Sequence, residues 1–330
     1  MRAIHRADAF VGRHMASATL ICVALGVLFP DTFSVMKSLT IWMFAFMTFA
    51  NSLGGGFKEL GKVALHPLPV LITLGILHVI LPLAALGLGS LLLPGHPLFT
   101  TGLVLEYAVP TAVASLMWVG IGRGDGSLCL AIVLLDTLLS PVVVPLTLKL
   151  LVGSVVKMDT LGMMKNLVIM VAIPALVAMT LHQVTRGRVA KTVKPQLAPF
   201  AKLALLLIIL TNATGCAPFL RHITPTLVLV MLSAFLLSVL AFFLSYQAGR
   251  LMRLSFPMTE TVTLTGGMRN NCAGAVLAMR YFPGDVLFPA AFSPMFQQLT
   301  TAIVVRLLRR TKAGQADQAA FDRQAETELL

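Results

Sequence analysis

Charge is what this 330-residue chain has least of. Only 12% of its residues are Asp, Glu, Lys or Arg, and 13 of those are acidic. A soluble domain of this length carries about twice that share, so most of the surface must face something other than water. Cysteine is also scarce. Cys22, Cys129, Cys216 and Cys272 lie far apart, and no Cys-x-x-Cys or His/Cys pairing occurs. That spacing excludes a zinc module and implies no disulfide framework. Long polar linkers are missing too, so no soluble domain can be separated from the rest.

What is present is apolar sequence. Hydrophobic residues make up 57% of the chain and the mean hydropathy is +0.90. Runs long enough to cross about 30 Å of hydrocarbon recur along the whole length. They fall near 15–30, 36–53, 68–93, 98–121, 127–152, 163–183, 199–219, 224–247, 258–280 and 286–308. The expected fold is an all-α membrane protein of about ten transmembrane helices. The basic start (Arg2, His5, Arg6, Arg13, His14) before Met15–Phe29 imitates a signal peptide. It reads as the first span, since no small-residue cleavage site follows.

A net charge of +12 in a soluble protein would suggest nucleic acid; here it reports orientation. With the N-terminus inside, eighteen basic residues fall in inner segments and six in outer ones. Arg269, inside a span, completes the 25. Both termini are therefore expected in the cytoplasm, in a cell membrane of bacterial inner-membrane type. An even span count divides into inverted five-helix repeats, 1–160 and 161–314, with a polar tail at 315–330. The lipid bilayer is an expected partner and nucleic acid is not. Monomer and homodimer both remain open.

The two halves share an interruption. The fourth span carries Tyr107-Ala-Val-Pro110-Thr111, and the ninth carries Thr265-Gly266-Gly267-Met268-Arg269-Asn270-Asn271. Pro110 removes a backbone donor and Gly266-Gly267 weakens helix propensity, so helix breaks are expected there. Paired breaks in matching places point to a transporter binding site, whereas ordinary kinks would be the structural alternative. Four ionisable groups lie well inside spans: His78, Glu106, Asp136 and Arg269. A central Asp or Arg costs about 2.5–3.5 kcal/mol on insertion scales, so these groups must pair or face a hydrated cavity. Arg269 suits an anionic substrate or a carboxylate partner, and Asp136 is the expected counter-charge and a candidate proton carrier. Asp136 shares one helical face with Cys129, Val133 and Ser140, with Thr137 adjacent. Glu106 faces a cavity or the outer interface. His78 reads either as packing or as part of the site. Thr111, Ser115, Asn270 and Asn271 offer oxygen to a substrate or cation, or merely bond between helices.

These motifs resemble the bile acid:sodium symporter family over nearly the whole chain. Gly267-Met268-Arg269-Asn270-Asn271 is similar to the family's Glu-x-Gly-Met-Gln-Asn-Ser signature. Pro110-Thr-Ala-Val-Ala114-Ser115 is similar to Pro-Gly-Gly-Thr-Ala-Ser-Asn, and Asp136-Thr137-Leu-Leu-Ser140-Pro141 to Ser-Thr-Leu-Thr-Ser-Pro. Asn51-Ser-Leu-Gly54 with Phe57-Lys58 resembles the end of the second span. The resemblance implies a core domain and a panel domain, crossing broken helices four and nine, and uptake of an organic anion with two sodium ions. The family's sodium ligands, however, fall on Thr265, Arg269, Leu116, Cys129, Val133 and Leu77. Most of the oxygen donors are gone. The expected function is therefore secondary transport of a carboxylate or sulfonate, proton-coupled or facilitative, with no cofactor and with sodium left open. A related metalloid extruder would need a cysteine in the fourth-span motif. A membrane-embedded enzyme would need clustered aspartates or a protease set, and none occurs. A non-transporting sensor is the remaining alternative.

Overall fold

A computed structural model describes residues 15–61, 63, 67–311 and 313–316. The basic N-terminal cluster and most of the 315–330 tail lie outside the described residues. Within them the chain is almost entirely helical. The helices are α1 (Met15–Leu28), α2 (Pro30–Ser34), α3 (Thr40–Ser52), α4 (Phe57–Gly61), α5 (Pro67–Gly75) and α6 (Leu81–Leu92). Next come α7 (Pro97–Ala108), α8 (Ser115–Gly122), α9 (Gly126–Val152), α10 (Thr160–Leu167), α11 (Ile173–Val184) and α12 (Arg188–Thr192). The last are α13 (Lys194–Arg221), α14 (Pro225–Leu251), α15 (Phe256–Gly267), α16 (Asn271–Tyr281) and α17 (Gly284–Arg310). Six continuous helical stretches, 30–52, 67–92, 126–152, 160–184, 194–220 and 225–251, are long and apolar enough to cross a membrane. The other apolar runs form helices that are shorter or interrupted, or that carry more polar residues.

Local chemistry sets where many helices begin. Asp125 caps α9 by accepting from the Ser127 and Leu128 N–H groups at 3.0 Å, and Asp159 caps α10 through Gly162 N–H at 2.8 Å. Proline occupies the first turn of α2, α7, α13, α14 and α15. It loses nothing there, because those N–H groups have no partner inside the helix. Proline also widens two helices. Ile76–Ile80 joins α5 to α6 as a π-turn, with Leu81 N–H reaching Ile76 O, and Val168–Ala172 joins α10 to α11 in the same way. Each bulge precedes a proline, Pro82 or Pro174, whose ring crowds the carbonyl four residues back.

The helices sort by packing. α13 lies against α1 and α3, and α3 against α11. Separately, α14 packs on α15 and α17, α7 on α6 and α17, and α16 on α17. The outward surface is covered by large apolar side chains such as Leu20, Trp42, Leu71, Leu91, Leu150 and Leu251. The polar groups instead turn inward: Glu106, Asp136, Glu260 and Arg269 are all buried. That distribution reverses the soluble pattern and fits a lipid solvent.

One expectation needs correcting. Gly266 and Gly267 do not break the ninth run; both are helical, at the end of α15, and the interruption is Met268–Asn270. The glycines serve close packing instead. A Cβ on Gly267 would run into the Phe242 ring of α14, and one on Gly266 would meet Ser245. Pro110 does fall within a non-helical segment, 109–114. Gly267→Ala should therefore lower the thermal unfolding midpoint of the purified protein by the equivalent of about 1–3 kcal/mol of overpacking. Gly75→Ala, which meets open space, should not. A smaller residue at 242 should restore part of the loss, and an unchanged midpoint in Gly267→Ala would show that the contact is soft.

Candidate functional site

The two interruptions meet each other. Residues 109–114, between α7 and α8, run antiparallel to residues 268–270, between α15 and α16, and Thr111 and Arg269 form an isolated β-bridge. Ala112 N–H donates to Met268 O at 3.2 Å, and Asn270 N–H donates to Pro110 O at 2.8 Å. In such a pair the central residues point their own backbone groups away from each other. Thr111 and Arg269 must then find partners on the outer edges of this short ribbon.

Side chains from two other helices supply them. Asp136 of α9 accepts Thr111 N–H through Oδ2 at 2.7 Å. Gln297 of α17 brackets Arg269: its Oε1 accepts Arg269 N–H at 2.7 Å, and its Nε2 donates to Arg269 O at 3.1 Å. Thr111 Oγ1 ties both arms together by donating to Thr265 O at 2.6 Å and Met268 O at 3.0 Å. Asn270 caps α16 through its side chain, accepting Ala273 N–H at 3.3 Å.

Asp136 has a second partner. Its Oδ1 lies 2.5 Å from His78 Nε2, with the side chains 0% and 9% exposed. The expected Asp136–Arg269 ion pair is absent among the described residues. Asp136 acts on Arg269 only through space, because both its oxygens are already engaged. Arg269 lies with its guanidinium carbon 5.7 Å from the Tyr107 ring centre, a cation–π contact. The residue is 1% exposed, and its Nε and both Nη atoms have no hydrogen-bond partner among the described residues. Glu106 is buried rather than interfacial, beside Gly274 of α16, and its Oε2 also has no partner there.

The remaining expected residues divide. The Thr265 and Thr137 hydroxyls donate to carbonyls on their own helices, Thr261 O and Val133 O, and Thr265 joins the site through its carbonyl. Ser115 Oγ contacts Cys129 Sγ at 3.5 Å. Asn271 is buried with its Nδ2 unpartnered, and Met268 is fully buried. A narrow cleft of about 30 Å³, room for roughly one water molecule, opens between α3 and the ribbon. It is lined by Thr48, Asn51, Pro110, Val113, Thr137 and Asn270.

Sodium is a hard cation and needs several oxygen donors. Of the six positions expected from resemblance, Leu77, Leu116 and Val133 have no polar side-chain atom. Cys129 has sulfur there, in contact with Ser115, Arg269 is itself positive, and Thr265 keeps a hydroxyl oxygen, its hydrogen donated to Thr261 O.

Two buried polar residues escaped the sequence reading. Gln297 belongs to a Gln297-Gln298 pair inside the tenth apolar run, and that polarity was the available signal. Glu260, near the start of the ninth run, is 0% exposed and packs against Gly122 at the end of α8. Gln297→Leu should orphan two buried backbone groups, each costing roughly 1–3 kcal/mol. The expected result is a lower unfolding midpoint and faster hydrogen exchange at the Arg269 amide. Gln297→Glu, which keeps the acceptor, should protect that amide better.

A family model described as the Sodium Bile acid symporter family matches residues 39–223. The uncharacterized protein YbaS of Bacillus subtilis is 38% identical over 288 residues, covering 87% of this chain and 94% of that protein. The uncharacterized sodium-dependent transporter YocS of the same organism is 23% identical over 322 residues, 95% and 98% of the two chains. The probable sodium/metabolite cotransporter BASS1 of Arabidopsis thaliana, a chloroplastic protein, is 24% identical over 319 residues, 93% of this chain and 77% of the plant protein.

Proposed function

The chain belongs to the sodium bile acid symporter family, a family of membrane transporters rather than enzymes, and on that premise we propose that it carries a small organic anion on a positive charge built into its own backbone crossing. The observation that carries this reading is Arg269. Its guanidinium is buried in the ribbon over Tyr107, with every side-chain nitrogen unpartnered among the described residues. A buried guanidinium whose donors have no hydrogen-bond partner is costly, and its planar fork of donors matches a carboxylate or sulfonate in two-point geometry. Asn271, with an unpartnered amide nitrogen two residues on, supplies a further donor for the same anion.

The fold we propose for this carrier is ten transmembrane helices in two inverted repeats, 1–160 and 161–314, followed by the tail at 315–330. The interruptions at 109–114 and 268–270 serve as the crossing breaks of helices four and nine. The antiparallel pairing of the two segments supports that symmetry. The inner excess of basic residues supports cytoplasmic termini in a bacterial cell membrane. The narrow cleft beside Asn51 and Asn270 is where one helix group would move against the other to admit substrate.

In this reading Arg269 takes the place of a bound cation, so sodium is not the coupling ion. Thermal stabilisation tests the point, since a ligand of the native state raises apparent stability by about 2.7 kcal/mol at a hundred times its Kd. Among a panel of carboxylates and sulfonates, at least one should stabilise the wild type. Arg269→Gln should abolish the effect, and Arg269→Lys, a point charge without the fork, should weaken it. Sodium at constant ionic strength should add nothing. Saturable sodium stimulation of anion uptake that persists in Arg269→Gln would overturn the reading.

A further inference from the structure

We infer that His78 and Asp136 form the proton-binding site of this carrier, and that the proton acts on the anion site through the Thr111 N–H. The inference rests on the anion reading of Arg269 and names the ion that would accompany the anion.

Three observations carry it. First, the pair is short, at 2.5 Å, and largely buried, with the His78 side chain 9% exposed, yet His78 Nδ1 itself is buried with no hydrogen-bond partner among the described residues. A neutral ring that donates Nε2–H to Asp136 leaves Nδ1 as a bare acceptor, which is a place to receive a proton. Second, Asp136 does not end at the histidine. Its other oxygen holds the Thr111 N–H, and Thr111 Oγ1 bonds carbonyls of the opposite arm beside Arg269. A proton on Nδ1 makes the ring an imidazolium, which draws more strongly on the carboxylate it shares with Thr111 N–H, so a proton arriving on the pair changes the hold on the crossing itself. Third, His78 sits on the π-turn before Pro82, where the helix is already widened. Such turns often occur at functional positions and leave backbone free to adjust.

Asp136 faces few other charges. His78 approaches from the π-turn and Arg269 from the ribbon. Among the other helices packed on α9, α5, α6, α8 and the second π-turn bring no titratable group. Glu106 and Tyr107 of α7 lie on the Arg269 side, and Glu260 of α15 is against Gly122. Glu59 of α4 accepts Gly56 N–H, its neighbour Lys58 is exposed, as is Lys165 of α10, and His182 of α11 bonds Leu53 O. The pair is therefore placed to bind a proton as Arg269 binds an anion. Loading one of each leaves the net charge of the site unchanged, which is the balance of proton–anion symport.

The test uses the proton alone, so it needs no identified substrate. Wild-type protein in liposomes on a solid-supported membrane, without sodium or organic anion, is given a pH jump and the transient charge displacement is recorded. The wild type should give a transient. His78→Gln and Asp136→Asn should each reduce it to a tenth or less, and Lys165→Gln should not. Size-exclusion profiles and unfolding midpoints establish that the variants are folded, and His78→Gln carries the test if Asp136→Asn is not. A full transient in folded His78→Gln overturns the inference, as does a wild type that responds to a sodium jump but not to protons. Anion stabilisation that requires Arg269 stands or falls independently. Its persistence alongside an unchanged transient would discard the proton site alone, and its loss alongside a proton transient that requires His78 would discard the anion reading.

Discussion

Non-helical backbone within an apolar interior must find hydrogen bonds inside the protein, and the ribbon at Thr111 and Arg269 is where this molecule meets that demand. Each polar backbone group left unsatisfied in hydrocarbon costs several kcal/mol. Two helices that stop at Ala108 and Gly267 and restart at Ser115 and Asn271 expose such groups at both ends. Bringing the two gaps together antiparallel satisfies one set, through Ala112 to Met268 and Asn270 to Pro110. The outward set then requires polar side chains from helices flanking the ribbon, and α9 and α17 provide Asp136 and Gln297. The positions of at least these two helices follow from the ribbon's need for partners.

That need separates structural polarity from polarity left over. Thr111, Gln297 and one oxygen of Asp136 are spent on backbone, and the Thr137 and Thr265 hydroxyls are spent on their own helices. Removing any of the first group leaves a partner orphaned, so loss of activity at those positions would say little about substrate. The guanidinium of Arg269, the amide nitrogen of Asn271 and one oxygen of Glu106 are different, because no backbone or side chain among the described residues uses them. Buried polar atoms without partners are expensive to keep, and groups of this kind concentrate where a ligand or a second conformation supplies what is missing.

Much of this was legible from residue types, and the failures share a cause. Membrane character followed from sparse charge and recurring apolar runs, and Arg269 and Asp136 stood out because ionisable groups inside spans are rare. Pro110 lies in the non-helical segment 109–114. The second interruption was placed slightly early, because Gly266-Gly267 was read by propensity when the residues are small in order to admit Phe242 and Ser245. Asp136 was assigned to Arg269 by charge sign alone; the structure gives its oxygens to His78 and Thr111 N–H. Gln297 was missed because its partners are backbone groups of a distant segment, which no spacing rule along one helix reveals. Helical periodicity finds faces, whereas a crossing of two segments more than 150 residues apart is a tertiary fact.

The ribbon also constrains how such a site can change its ion. A bound cation near the crossing can be replaced only by something that leaves the ribbon's hydrogen bonds intact. Arg269 meets that condition because its backbone stays in the bridge, held by Gln297, while its side chain brings the charge. A fixed charge, unlike a diffusing ion, cannot leave with the substrate, so it supplies affinity without supplying a gradient. On the proposed reading, the driving force would come from a group that can load and unload while touching the same backbone. Asp136 touches it directly and His78 touches Asp136. The two roles of a sodium ion, attraction of the anion and coupling to an electrochemical gradient, would thus be divided between Arg269 on one arm of the bridge and Asp136, which holds the other arm from α9 with His78 behind it.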